Sequence, residues 1–493
     1  MNRHNPGAPS ERLRHVNGHK DASSLSGSGR ARIGAGGVPQ PKRVRSANPR
    51  RRIAPAALAW LLASSFLAAG AGVDAATFFV APTGSDDNAG TQDKPFATVQ
   101  RAQNAAAPGD TVYIRGGTYV MQESQIARKQ AIWAYVTFLD KSGAPDRPIQ
   151  YWAFENERPV FDFSGVKPEG LRVTAFYVTA SWVHIKGLET IGVQVTLKGH
   201  TQSICFDNEG SHNIYERLSM HDGQAIGIYS VRGSDNLFLN CDAYRNHDVT
   251  SEDGKGGNVD GFGCHPPKGA TGNVFRGCRA WFNSDDAFDC IGAHESVTFE
   301  NCWALYSGYG PKFERLGDGN GFKVGGYGTT PVDRLPKVIP RHTVRFCLAV
   351  RNKSSGFYAN HHIGGSDWFN NTAYRNGTNF NMLCRLADNL TDVAGYGHKL
   401  RNNLGYKSAR EISNLDMAKS DAANNSFMPD LPLGDKDFVS LDEDELVGPR
   451  QANGDLPAIR FMHPAPGSVL IDKGVDVGLP FRGAAPDLGA FEK

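Results

Sequence analysis

The chain has 493 residues, of which 40% are hydrophobic, and it contains 56 glycines and 27 prolines. Its length would allow two or three domains, although a repeat fold can extend one domain over the same length. Twelve of the 53 Lys and Arg residues and three of the 51 acidic residues precede residue 77, which leaves 41 basic and 48 acidic residues and a net charge of −7. A chain with this charge is not expected to bind nucleic acid.

Residues 1–76 predict an export signal. A basic segment ending at Arg52 precedes an apolar run at 53–67, and small residues at 68–76 end in an Ala-x-Ala-like cleavage site. The apolar run is short for a membrane span, and a signal anchor is the alternative reading. We expect a mature protein that is secreted to the extracellular space or the periplasm and has no membrane association after processing. A twin-arginine route and a start codon downstream of the first Met stay open.

Residues 77–120 predict a cap at one end of a repeat fold. Strand-like segments at 77–82 and 111–115 enclose one short segment with helical spacing. The apolar residues of that segment are Phe96, Val99, Ala102 and Ala106. A short amphipathic helix suits this place because the terminal strands of a solenoid need cover.

From residue 121 to about 415, short β-rich segments alternate with Gly, Asn and Asp turns and align as a repeat. The aligned segments begin at residues 213, 236, 273, 297, 342 and 367. Steps of 23 to 25 residues indicate bare coils, and the longer steps indicate coils with inserted loops. The pattern predicts an all-β fold, a single-stranded parallel β-helix with a short N-terminal capping helix. Residues 416–493 lose the pattern and predict a tail packed on the β-helix.

Two residue types recur at fixed places in the repeat. An asparagine ends the second strand of several coils, at Asn246, Asn283, Asn352 and Asn376. We expect these side chains to stack as a ladder that satisfies turn backbone. Cysteines recur at inward positions, at Cys241, Cys278, Cys302 and Cys347. We expect buried free thiols, with a disulfide between stacked neighbours as the open alternative.

Segments with a central phenylalanine begin at Asp260, Asp286 and Asn320, and a fourth begins at Ser355. If they are successive strands about 4.8 Å apart, equivalent positions form columns. One column then holds Asp260, Asp286 and Asn320. The next outward column holds Gly263 or its neighbour, Asp289 and Lys323.

Four carboxylates are therefore predicted to converge, from Asp260, Asp285, Asp286 and Asp289. Unpaired, they would repel one another, and a hard divalent cation with oxygen ligands relieves this repulsion. Calcium tolerates an irregular set of carboxylates, and no His or Cys set has zinc spacing. A purely structural calcium site or a polar turn is the alternative interpretation of this cluster.

Lys323 favours a catalytic interpretation. A nearby cation lowers the pKa of a lysine and leaves more neutral amine to act as a base. A calcium ion that also binds a substrate carboxylate would acidify the proton on the adjacent carbon. Uronic acid polymers offer that chemistry, since the C5 proton is next to the C6 carboxylate and the C4 oxygen can leave. The flanking insertions carry Lys255, Lys312 and Arg315, which are candidates for binding an anionic substrate.

The spacing of these residues, Asp260, Asp285-Asp286-x-x-Asp289 and Lys323, resembles polysaccharide lyase family 9, the pectate lyases with a right-handed parallel β-helix. The resemblance spans most of residues 77–410. It implies that the four aspartates bind calcium and that Lys323 takes the C5 proton of polygalacturonate, which leaves a 4,5-unsaturated product. It also implies an anionic plant cell-wall polysaccharide as the partner, and we expect a monomer. Relatives of this family include lyases of other polysaccharides, so the polymer stays open.

Two other function classes fit the β-helix pattern. A polygalacturonase-like hydrolase would use paired carboxylates, such as Asp285 and Asp286, to activate water. The Asn-Thr-Asp, Gly-His-Gly and Arg-Ile-Lys motifs of such hydrolases are absent from the sequence. A non-catalytic β-helix that binds polysaccharide would not depend on Lys323.

Overall fold

The computed structural model describes residues 75–428 and 431–493. Within these ranges the chain winds through three long sheets, which we call sheets 1, 2 and 3, and each coil contributes strands to them in that order. Almost all strand pairs are parallel, and each strand pairs with its equivalents in the preceding and following coils. The predicted parallel β-helix is therefore confirmed. The predicted signal peptide falls on residues outside the described ranges, except for its last two.

The three sheets have 12, 10 and 11 strands, respectively. Sheet 1 comprises Thr77–Val80, Thr111–Ile114, Ile149–Ala153, Val183–Lys186, Ile214–Glu216, Leu237–Leu239, Asn273–Arg276, Val297–Glu300, Thr343–Arg345, Asp367–Phe369, Lys399–Arg401 and Asp421–Ala423. Sheet 2 comprises Gly117–Val120, Pro159–Asp162, Glu189–Ile191, Ser219–His221, Asp242–Tyr244, Arg279–Trp281, Trp303–Leu305, Leu348–Val350, Thr372–Tyr374 and Leu404–Tyr406. Sheet 3 comprises Arg128–Gln130, Trp133–Leu139, Arg172–Val178, Ser203–Asn208, Ala225–Ser230, Phe262–Cys264, Phe288–Asp289, Phe322–Lys323, Ser355–Tyr358, Thr378–Asn381 and Ile412–Ser413.

One α-helix, Val99–Ala105, lies at the N-terminal end of the described chain. The hydroxyl of Thr98 accepts a hydrogen bond from the backbone N–H of Arg101 and so caps the helix. Val99 and Ala102 are buried in the same core as the first strands of sheet 1. A two-stranded antiparallel pair, Cys384–Arg385 with Asp392–Val393, and 3₁₀ turns at Glu123–Gln125, Val332–Arg334, Asp435–Asp437 and Glu443–Val447 complete the elements.

Inside the coils, identical side chains stack on one another. The ring centroids of Phe262, Phe288, Phe322 and Phe357 follow at 5.0, 4.8 and 5.1 Å, and all four residues are fully buried. Each buried ring stabilises the fold by about 2 kcal/mol, and the flat stack fixes the register of sheet 3. The alignment of the phenylalanine segments predicted from sequence is therefore confirmed.

The asparagine ladder is also present, at the bend between sheets 2 and 3. The side-chain Nδ2 of Asn246 donates to Oδ1 of Asn283 at 3.1 Å, and Asn352 donates to Asn376 at 2.8 Å. The same oxygens accept backbone N–H groups of the preceding coil, so the ladder satisfies bend backbone, as predicted. All eight cysteines lie in the described part of the chain and are buried free thiols.

Residues 431–493 lie on the outer face of sheet 2. Leu446, Phe461 and Leu470 form a second buried apolar cluster with side chains of that sheet, such as Trp303 and Leu305. No helix among the described residues is long and apolar enough to cross a membrane.

Candidate functional site

The predicted site residues lie on sheet 3, where three neighbouring coils pass. Gly263 pairs with Asp289, and Asp289 pairs with Lys323, in parallel register. This is the outward column that the repeat predicts. Loops enter the site from the bend between sheets 2 and 3, at 245–261 and 306–321.

Three of the predicted carboxylates converge. Oxygens of Asp260, Asp286 and Asp289 all lie within 4.8 Å of one another, and all three residues are buried. Asp260 Oδ1 accepts the backbone N–H of Asp286 at 3.2 Å. Asp286 Oδ1 accepts the backbone and side-chain N–H groups of Asn320 at 2.6 and 2.9 Å. These bonds hold the carboxylates in place because they come from the adjacent coil.

Asp285 lies beside this group without belonging to it. It is buried, and its Oδ1 accepts the backbone N–H of Asp318 at 2.9 Å. Asp318 belongs to the loop at 306–321, so Asp285 connects the carboxylate group to that loop. Burial, and then the charge of Asp286, raises the pKa of Asp285.

Burial raises the pKa of Asp260 and of Asp286 as well. For Asp260 the main cause is burial, followed by the charges of Asp285 and Asp289. Burial raises the pKa of Asp286, although the charge of Lys323 acts to lower it. A set of carboxyls that resists ionisation in this way gains strongly from a cation placed among them.

Lys323 supplies one such positive charge. Its Nζ lies 3.0 Å from Oδ2 of Asp286 and 3.0 Å from Oδ2 of Asp289, and 17% of its side chain is exposed. Burial alone would lower the pKa of Lys323, but the four neighbouring carboxylates outweigh it and raise the pKa well above its usual value. Among these side chains alone, Lys323 is therefore an ammonium group that is paired with two carboxylates.

The three predicted substrate-binding cations lie in the flanking loops and are exposed. Lys255 pairs with Asp253 at 3.5 Å, and 64% of its side chain is exposed. Lys312 and Arg315 are exposed in the loop at 306–321. All three belong to the two loops that enter the site, and their role in binding stays a prediction.

Two further side chains at the site had no predicted role. Lys353 Nζ donates to the carbonyl oxygens of Leu316 and Gly317, and this fastens the loop at 306–321 to the next coil. Tyr358 follows Lys323 in the outward column. The sequence carries a signal for Tyr358, because it follows a phenylalanine as Asp289 and Lys323 do. No sequence pattern points to Lys353, whose partners are backbone atoms of a loop.

Comparisons with known proteins agree with this geometry. A family model described as "Pel9A-like, right handed beta helix region" matches residues 78–403. Pectate lyase L of Dickeya chrysanthemi is 34% identical over 421 residues, which cover 84% of this chain and 90% of that protein. The solved structure of a rhamnogalacturonan lyase is 47% identical, with a TM-score of 0.76, and covers 79% of this chain and 97% of that one. The solved structure of pectate lyase Pel9A is 32% identical, with a TM-score of 0.69, and covers 86% of this chain and 98% of that one.

All of these similar proteins are named lyases. This argues against the glycoside hydrolase and the non-catalytic binding protein, the two other classes that the sequence left open. The predicted handedness of the coil and the predicted family are both confirmed. The chain belongs to the Pel9A-like right-handed β-helix family and is an enzyme of the polysaccharide lyase class, of the pectate lyase type.

Proposed function

We propose that the protein is a secreted, calcium-dependent lyase that cleaves polygalacturonate by β-elimination, with Lys323 as the base. The observation that carries the proposal is the position of Lys323 Nζ, 3.0 Å from two carboxylates of a buried group of three. A lysine that acts as a base beside a bound metal ion needs this arrangement, in which one amine and several oxygen ligands for a metal lie on the same surface.

The residues present fit a calcium ion. Asp260, Asp286 and Asp289 offer hard oxygen ligands that lie close together, and Asp285 adds a fourth carboxylate beside them. Oδ2 of Asp286 has no hydrogen-bond donor among the described residues, and its only cationic partner there is Lys323. When bound, calcium would supply positive charge that withdraws electron density from a substrate carboxylate and acidifies the C5 proton.

Lys323 then acts as the base. When the carboxylates bind another cation, Lys323 loses the partners that raise its pKa. Its burial then lowers the pKa. Its neutral amine takes the proton from C5 of a galacturonate residue. The electrons of the C5–H bond form the C4–C5 double bond, and the C4–O bond breaks, so the leaving sugar keeps the oxygen with the electron pair of that bond and takes up a proton from water.

The loops supply the remaining contacts in this proposal. Lys255, Lys312 and Arg315 would meet carboxylates of a bound polymer at the rim of the site. Secretion rests on the signal-like residues 1–76. A processed monomer without membrane association completes the proposal.

Rhamnogalacturonan is a second candidate polymer. The rhamnogalacturonan lyase structure is 47% identical to this chain, whereas Pel9A is 32% identical. Both polymers contain galacturonate with a sugar on O4, so the same elimination would cleave either one.

The test is to incubate the full mature chain with each polymer and calcium and to follow ultraviolet absorbance. Elimination creates a conjugated double bond that absorbs, whereas hydrolysis does not. A calcium-dependent rise that a chelator abolishes is the expected result. New reducing ends without this absorbance would overturn elimination in favour of hydrolysis.

A further inference from the structure

The segment 316–320 ends one of the two loops that enter the site, and its backbone N–H groups hold two of the carboxylates. The N–H of Asp318 donates to Oδ1 of Asp285 at 2.9 Å. The N–H of Asn320 donates to Oδ1 of Asp286 at 2.6 Å. The segment thus binds one oxygen of each carboxylate and fixes the direction of the carboxyl group. The positions of these two side chains therefore depend on the conformation of the segment.

The opposite side of the segment is held by the coil that follows. Lys353 Nζ donates to the carbonyl oxygens of Leu316, at 2.8 Å, and of Gly317. The hydroxyl of Ser354 donates to the carbonyl oxygen of Asp318 at 2.5 Å. The segment is therefore a backbone bridge, with its N–H groups on the carboxylates and its carbonyl groups on Lys353 and Ser354.

Two glycines make the position of this segment depend on its hydrogen bonds. A Cβ at Gly317 would lie 2.6 Å from the carbonyl oxygen of Ser284. A Cβ at Gly319, where φ is +73°, would lie 2.6 Å from the Cα of Gly308. Only glycine fits such close backbone packing, but glycine also loses the most conformational freedom when it becomes ordered. The two hydrogen bonds from Lys353 oppose this loss.

Lys353 acts on the carboxylates in a different way from Lys323. The ammonium group of Lys323 pairs directly with Asp286 and Asp289 at 3.0 Å. Lys353 is half-buried one coil further on, and its printed bonds end on backbone carbonyl oxygens. Because a charged donor makes a stronger hydrogen bond than a neutral one, a lysine is an effective anchor for such a segment.

We propose that Lys353 is a positioning residue for calcium, which holds the segment 316–320 in the conformation that directs Asp285 and Asp286 toward the ion. The inference rests on the calcium-dependent function proposed above and deepens it. Without Lys353, the glycine-rich segment would become ordered only as calcium binds, and the cost of this ordering would lower the calcium affinity. Lys353 therefore sets how much calcium the enzyme needs and takes no part in the elimination step.

The experiment compares calcium binding by the full mature chain and by K353M, measured by calorimetry without substrate. Methionine keeps a long unbranched side chain and removes the donor. We expect the Kd for calcium to rise by about tenfold or more, because two hydrogen bonds from a charged group are lost. K353R keeps charged donors and should raise the Kd less. S354A removes the neighbouring donor to Asp318 and should act in the same direction as K353M.

The dependence of turnover on calcium separates a positioning role from a catalytic one. At saturating calcium, kcat of K353M should return to the wild-type value, because Lys323 keeps its place. Thermal unfolding establishes that each variant is folded.

Lys141 provides the matched control, since it makes the same kind of contact beside the capping helix. Its Nζ donates to the carbonyl oxygens of Asn104 and Ala106 at 2.7 and 3.0 Å. K141M should leave the Kd for calcium unchanged. An unchanged Kd in folded K353M and S354A, or a kcat of K353M that stays low at saturating calcium, would overturn the inference alone. A wild-type chain that binds no calcium would instead overturn the calcium-dependent function, and the inference with it.

Discussion

At the scale of single residues, the role of Lys323 can be tested separately from the role of the two carboxylates that it contacts. Lys323→Ala removes the amine and leaves Asp260, Asp286 and Asp289 in place. We expect kcat to fall by about a hundredfold to ten-thousandfold, as for loss of a general base. Calcium affinity should stay the same or increase, because a competing positive charge is gone. Turnover by ultraviolet absorbance and calcium binding by calorimetry measure the two effects.

Lys399→Ala is the control for this variant, since Lys399 is exposed on sheet 1. It should leave turnover and calcium binding unchanged. If Lys323→Ala kept near-normal turnover, the base would have to be another residue.

Asp286→Asn tests whether the buried carboxylates bind calcium. Asp286 contacts Asn320 and Lys323 and is completely buried, so the amide occupies the same space without the charge. We expect the calcium concentration for half-maximal activity to rise by about tenfold or more, because calcium affinity follows the number of charged ligands. The measurement is a calcium titration of turnover. An unchanged titration curve would show that Asp286 is no ligand.

At the scale of elements, the bend between sheets 3 and 1 contains buried histidines that carry a pH dependence. His362 and His398 are fully buried, and burial lowers their pKa to about 4 and about 3, respectively. His398 Nδ1 accepts N–H groups of Ser366 and Trp368, and His342 packs near His362. Each ring is therefore held in its neutral form.

Since the folded-state pKa lies below the unfolded value of about 6.5, the unfolded chain binds protons first as the pH falls. The stability that these histidines contribute is present above about pH 6.5 and is lost progressively below it. At pH 5 each histidine should cost about 2 kcal/mol of the free energy of unfolding. Denaturant unfolding between pH 7 and pH 4.5 measures the loss. His398→Gln keeps an acceptor, and it should flatten the profile; a profile identical to wild type would contradict the assignment.

The same scale shows how far the sequence could predict the structure. The period of the coils and the repeated phenylalanines were sufficient to align Asp289 with Lys323, because one slip in register would turn every side chain to the other face. The contact of Asp285 with Asp318 was beyond prediction, since it depends on how a loop without periodicity closes. The ion pairs of Lys323 also depend on side-chain directions that strand alternation alone does not fix.

At the scale of the whole molecule, two outer faces of the β-helix differ in function. Sheet 3 carries the candidate site, whereas the outer face of sheet 2 is covered by residues 431–493. Arg450 of this segment donates to Oδ1 of Asp242 at 2.7 Å, and Arg279 donates to Oδ2 of the same residue at 2.9 Å. A buried carboxylate shared by two arginines fastens the segment to the coils, because removal of Asp242 would leave two buried cations without their common partner.

This separation predicts that stability and substrate affinity can be changed independently. Phe461 is completely buried on the covered outer face of sheet 2, which does not carry the site. Its ring packs edge-on against Tyr374 at 5.4 Å. Phe461→Ala should lower the free energy of unfolding by about 3 kcal/mol through loss of burial and a new cavity. KM and the calcium requirement should stay at wild-type values, because within the described structure no hydrogen bond or ion pair joins residues 431–493 to the carboxylate group. Phe481→Ala is the control, since Phe481 is 38% exposed and should change stability by less than about 0.5 kcal/mol. A large change in KM for folded Phe461→Ala would show that the covered face of sheet 2 is coupled to the site through the coils.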